Sequence, residues 1–85
     1  MTTIKMAKQH VQVVLDCLTG PGWRKNRNTL RGVHKLLTLD ARPDELCRCV
    51  QTMTIIADEL GFMCRGNLAA RLDRACSLVN STLTN

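Results

Sequence analysis

Apolar residues recur three and four positions apart along most of this chain, which is the spacing of amphipathic α-helices and not the alternation of strands. In the first segment Ile4, Ala7, Val11, Val14, Leu15 and Leu18 share one face, while Lys5, Lys8, Gln9, Gln12 and Asp16 lie opposite. Thr2 or Thr3 is placed to cap this helix, because a hydroxyl there accepts from the free amides of the first turn. Met6, Val13 and Cys17 make a second apolar strip beside the first, with His10 between the two. Together the strips span about half the circumference, more than a surface helix usually buries. The expectation is a helix covered from two directions, once by its own domain and once by a second copy of the chain.

Gly20, Pro21 and Gly22 close that segment, since glycine permits the turn at a helix end and proline lacks the amide needed to continue. Trp23 follows; beside a basic stripe it could lie against a base or sugar, but the commoner role of such a residue, and the one favoured, is to anchor the turn on the core. From Arg24 to Leu37 the apolar arc is Leu30, Val33 and Leu37, with Leu36 at its margin. A connector from Thr38 leads to Pro43, Asp44 and Glu45, which suit the first positions of a third helix. Proline has the required φ there, and carboxylates favour the positive end of the helix dipole. Leu46, Cys49, Val50, Met53, Ile56, Ala57 and Leu60 form the inner face of this helix, and Gly61 marks its end. Phe62, Met63, Arg65 and Gly66 are assigned to a loop and Asn67 to a cap. Leu68, Leu72, Ala75 and Val79, with Cys76 beside them, make the inner face of a fourth helix, and residues 80–85 read as a frayed tail. Such stripes can be buried only against one another. The expected fold is therefore all-α: one domain over residues 1–85, a small bundle of about four amphipathic helices, forming a homodimer.

Charge adds a second pattern to the segment after Trp23. At about 100° per residue, Arg24, Arg27, Arg31, His34 and Lys35 fall in one arc about 100° wide, apart from the apolar arc. No Asp or Glu occurs between Asp16 and Asp40. A helix of this kind can dock on a core and present a line of positive charge outward. Lys25, Asn28 and Asn26 add donors near its start, and Arg71 and Arg74 make a smaller basic flank on the fourth helix with Asn67. Gly32 weakens the helix by about 1 kcal/mol relative to alanine, which is tolerable where another backbone must come close. A net charge of +5 and a pI near 9.3 favour an acidic partner, nucleic acid first and an anionic membrane surface second. The absence of Tyr, with Phe62 and Trp23 as the sole aromatics, counts against modules that stack several bases on a sheet or barrel.

The remaining chemistry is mostly exclusion. Cys17, Cys47, Cys49, Cys64 and Cys76 are odd in number and fall mainly at apolar helical positions, so they read as core thiols in a reducing, cytoplasmic setting. Cys47 and Cys49 form only C-x-C and point about 160° apart on a helix, which does not suit a zinc site. No nucleotide-binding glycine loop, nucleophile elbow or H-E-x-x-H occurs, and no membrane-length apolar run. The expectation is a non-enzyme without cofactor, metal or small-molecule substrate, away from membranes.

Two nucleic-acid readings follow. Thr54 to Ala75 is similar to a helix-turn-helix, with Ala57 and Gly61 four apart and Arg65, Asn67, Arg71 and Arg74 available to a DNA major groove. Its second-helix residues Leu68 and Leu72 fall late for that motif. The other reading lays the Arg24 to Lys35 line along the phosphates of double-stranded RNA, whose deep, narrow major groove leaves phosphates and 2′-hydroxyls as the accessible groups. In size, in its basic amphipathic helix Asn28-Thr29-Leu30-Arg31-Gly32-Val33-His34-Lys35-Leu36-Leu37 and in its lack of stacking aromatics, the chain resembles the nodaviral RNA-silencing suppressors. That resemblance implies a helical homodimer that lies along duplex RNA and shields it from Dicer. On the charge pattern itself, Arg24, Lys25, Arg27, Arg31 and Lys35 are the expected phosphate contacts, Asn28 and His34 assist, and Arg71 and Arg74 extend the surface. A fourth helix and five cysteines depart from the family pattern. A helical adaptor whose basic face recruits an acidic protein is the reading outside nucleic acids.

Overall fold

The stripes read from the sequence become four helices in a computed structural model that describes residues 2–84. The first, α1, spans Thr3–Cys17, and the Thr2 hydroxyl accepts from the Lys5 amide at 3.3 Å. After Gly20, held at φ +104, a short 3₁₀ turn over Pro21–Trp23 leads directly into α2, Arg24–Leu36. The third helix, α3, spans Pro43–Phe62 and begins on Pro43 as its composition requires, with the Glu45 carboxylate accepting from the Arg42 amide at 3.1 Å. Last comes α4, Gly66–Thr84.

Side-chain pairings give the topology. Arg27 reaches Leu18 and His34 lies by Lys8, so α1 and α2 run antiparallel. Asn26 meets Glu59, and Cys76 meets Val50 and Thr54, so each later neighbour also reverses direction. The result is an up-down-up-down bundle in which α4 packs against α1 and α3, and α2 packs against α1 and α3. Among the described residues no backbone contact joins the diagonal pairs. The all-α bundle expected from the periodicity is the fold observed.

One core occupies the centre. Val11, Val14 and Leu18 of the first segment, Leu30 and Leu37 of the second, Met53 and Leu60 of α3 and Leu72 and Val79 of α4 are almost wholly sealed from solvent. Cys49 and Cys76 are buried with them, and burial pushes both thiols above their ordinary pKa. Cys17, Cys47 and Cys64 are exposed instead, contrary to the expectation that the thiols are mainly core residues. Cys17 ends α1 and Cys47 lies on α3 at angles that no neighbouring helix covers, and Cys64 lies in the turn after α3.

Three boundaries differ from the sequence reading. The third helix does not stop at Gly61 but continues to Phe62, and its end is organised by Cys64 at φ 61. The Arg65 amide donates to the Leu60 carbonyl at 2.7 Å and the Cys64 amide to the Gly61 carbonyl at 3.4 Å, the paired closure of a Schellman turn. The left-handed residue of that turn is normally glycine, and a side chain there costs about 1 kcal/mol. Cys64→Gly is therefore expected to stabilise the fold by about 0.5–1 kcal/mol, read as a rise in Tm of a few degrees. Asn67 lies inside the first turn of α4 and is not its cap. The segment from residue 80 continues as helix to Thr84, with Leu83 packed against the core and the Thr82 and Thr84 hydroxyls donating back to carbonyls one turn earlier.

Candidate nucleic-acid interface

The second helix carries the feature that the charge pattern singled out. Leu30 and Val33 turn inward, and Arg24, Lys25, Asn28, Arg31 and Lys35 are exposed on the other side. None of these five side chains forms a hydrogen bond with a carboxylate among the described residues. Polyanions attract such groups because no internal partner must first be displaced.

Arg27 belongs to the same arc but is used differently. Its Nη1 donates to the Leu18 carbonyl at 3.4 Å, and its Nε is buried without a partner. Leu18 is the residue that closes α1, where the last carbonyls have no helical donor and the helix dipole is negative. A guanidinium placed there ties the start of α2 to the end of α1. The arc predicts Arg27 as a phosphate contact; the structure makes it a joint between two helices.

His34 is half-buried between the helices, and burial first, then the Lys8 ammonium, hold its imidazole below the ordinary histidine pKa. It is neutral at pH 7 and offers a hydrogen bond rather than a charge. Lys5 and Lys8, with Gln9 and Gln12, meet His34 across the α1–α2 groove in a shallow cleft of about 340 Å³. The basic line on α2 thus widens into a face spanning two helices. Periodicity places Lys5 and Lys8 on the solvent side of α1 with no link to α2, because only the antiparallel register of the pair brings Lys8 opposite His34. The carboxylate on these two helices is Asp16, which accepts from the Gln12 amide at 2.8 Å. Asp44, Glu45, Asp58 and Glu59 are concentrated on α3. Charge is therefore segregated, with the basic side on α1 and α2.

The smaller basic flank forms a separate cleft. His10 of α1 meets Asn67, Arg71 and Arg74 of α4, with Arg71 Nη1 at 3.4 Å from His10 Nδ1. Burial, then the two guanidiniums, lower the His10 pKa, so this imidazole is also neutral at pH 7. The flank lies on the α1–α4 side, apart from the α2 line. His10 joins the group only through packing and had no sequence signal of its own.

Gly32 lies on the flank of α2, and a Cβ placed on it meets nothing within 4 Å. No neighbouring protein backbone requires glycine at this position. The α3–α4 pair, which contains the Thr54 to Ala75 segment, packs lengthwise as an antiparallel hairpin in which Thr54 Oγ1 lies 3.8 Å from Cys76 Sγ. In a helix-turn-helix the two helices cross at roughly 90–120° instead. Among the described residues no group of three or more His, Cys, Asp or Glu side chains is placed to hold a metal ion. No described helix is long and apolar enough to cross a membrane.

These features define a small four-helix bundle with one basic, acid-poor face. No family model, curated protein or solved structure that was compared with the chain matches it.

Proposed function

We propose that the protein binds double-stranded RNA without sequence preference, laying the α1–α2 basic face along the phosphates and acting by occupancy to shield the duplex. A viral suppressor of RNA silencing, of the kind the nodaviral proteins represent, is the biological role that fits such binding. The reading rests on one observation: Arg24, Lys25, Arg31 and Lys35 stand exposed and free of carboxylate hydrogen bonds along α2, with Lys5 and Lys8 beside them. A 13-residue helix is about 20 Å long, enough to follow phosphates across one groove. A face made of Arg and Lys, with Asn28 as its main polar addition, positions a backbone and does not read base edges. The second apolar strip of α1 is left with Met6 and Cys17 exposed and Val13 half-buried. A second copy seated there would double the length of duplex covered.

Fluorescence anisotropy with duplex RNA, duplex DNA and single-stranded RNA of equal length, each over a salt series, tests the reading. Binding is expected to be tightest for duplex RNA and indifferent to its sequence. With one phosphate neutralised by each of the four exposed α2 cations, log affinity should fall against log salt with a slope of about −3.6, steeper where Lys5 and Lys8 also engage. A preference for one DNA sequence would replace this reading with that of a sequence-specific DNA-binding regulator. No retention of any nucleic acid would replace it with a protein adaptor.

A further inference from the structure

The chain contains two aromatic residues, Trp23 and Phe62, and the fold brings both to the rim of one surface cleft instead of placing them in the core. The cleft, about 350 Å³, is lined by Gly22, Trp23, Asn26, Glu59, Phe62 and Met63, at the end of the bundle where α2 starts and α3 stops. Phe62 is 92% exposed and Met63 64% exposed. With its ring outward, Phe62 forgoes the stabilisation that burying it would give, and it stands beside Met63 and Trp23 in one apolar patch. Trp23 is half-buried against the core, which holds its ring in place at one wall.

The polar groups of the cleft narrow the choice of occupant. Asn26 Nδ2 donates to Glu59 Oε2 at 3.0 Å. This leaves the second amide hydrogen, the amide oxygen and the other carboxylate oxygen to face a ligand edge that carries both donors and acceptors. Arg24 and Lys25 follow Trp23 immediately in the first turn of α2, and Arg65 stands just past Met63, all exposed. Flat apolar walls, an edge of hydrogen-bonding groups and flanking cations together match a nucleobase attached to a phosphate chain. Arg24 and Lys25, the first residues of the basic helix, adjoin the cleft through the chain at Trp23.

We infer that this cleft takes an unpaired nucleobase at the end of an RNA strand, stacked against Trp23 and Phe62, while Arg24 and Lys25 hold the adjoining phosphates. The inference rests on the duplex-RNA reading for its biological setting, but the stacking site stands on its own residues. It makes the protein sensitive to RNA ends: a duplex with unpaired terminal nucleotides is held at the α2 start as well as along the α2 face.

Trp23, the sole tryptophan, reports directly on the site. Its emission is titrated with AMP, with GMP and with inorganic phosphate, after correction for nucleotide absorbance. It is then titrated with two RNA duplexes of equal length, one with two unpaired 3′ nucleotides at each end and one closed at both ends by non-nucleotide linkers. The expected result is quenching by the mononucleotides in the millimolar range but not by phosphate. The overhanging duplex should also bind about tenfold more tightly than the closed one. Phe62→Ala, a change at an exposed position, should remove both the quenching and the overhang advantage while leaving affinity for the closed duplex unchanged. Unchanged emission with every nucleotide, together with equal affinity for the two duplexes, overturns the inference and leaves the duplex reading in place. Mononucleotide quenching without any duplex binding has the opposite meaning: the cleft stands and the duplex reading falls. A concentration-dependent blue shift without nucleotide, abolished by Phe62→Ala, would assign the cleft to a second copy of the chain and also overturn the inference.

Discussion

Replacing Arg24, Arg31 and Lys35 together by glutamine is expected to lower the proposed affinity for duplex RNA by two to three orders of magnitude at 0.1 M salt, with the helix content unchanged. The magnitude follows from counterion release. Each phosphate neutralised contributes about 0.9 of a log unit to the salt slope, and at 0.1 M salt that is also about 0.9 of a log unit in affinity. Three lost contacts give roughly 500-fold, and the slope itself should become shallower by about 2.7. The fold is expected to survive, because all three side chains are exposed and glutamine is a good helix former. Arg27→Gln serves as the internal contrast. Its guanidinium is bound to the Leu18 carbonyl, so its loss should leave the salt slope nearly unchanged and cost about 1 kcal/mol of stability at the α1–α2 joint. Anisotropy over a salt series, paired with thermal melts, separates the two outcomes. Equal slopes for the triple variant and the parent would remove α2 from the interface.

Leu72→Ala is expected to be the most damaging single core change. Leu72 is fully buried at the centre of the inner face of α4, the helix that packs on both α1 and α3. Truncation removes the transfer free energy of the lost carbons and leaves a cavity that two neighbouring helices cannot both close. Such changes cost 2–5 kcal/mol, against a total stability of about 5–15 kcal/mol for a domain. At about 3 kcal/mol the melting temperature of a chain this size should fall by roughly 12–24 °C. Circular dichroism melts would show it, and a shift under about 4 °C would mean that α4 is not the keystone of the core. Phe62→Ala is the matching control. It deletes a larger side chain, yet one that is almost fully exposed, and should leave the melting temperature close to that of the parent.

Both variants mark a difference between information carried along one helix and information carried between helices. The faces of the four segments were legible because the inward or outward position of a residue depends on its angle around its own helix, which spacing alone determines. Ile4, Val11 and Val14, then Leu30 and Val33, then Met53 and Leu60, and last Leu72 and Val79 all lie in the core for that reason. The start of α3 was equally legible, since Pro43 and Glu45 act within one turn. Its end was not. Gly61 looked like the stop, but the Leu60 and Gly61 carbonyls are closed by amides donated from Arg65 and Cys64, and Cys64 takes the left-handed conformation.

What the sequence alone determined is the all-α class, the identity of most core residues and the acid-free run of charge on α2, all properties local to single helices. What only the tertiary structure decided is which of those charges remain outside and what joins them. Arg27 turns to the end of α1, Lys5 and Lys8 come alongside His34, His10 meets Arg71, and Trp23 meets Phe62. Each of these depends on the register of one helix against another, which loop geometry and the packing of the shared core set together, and which no periodicity along a single segment contains.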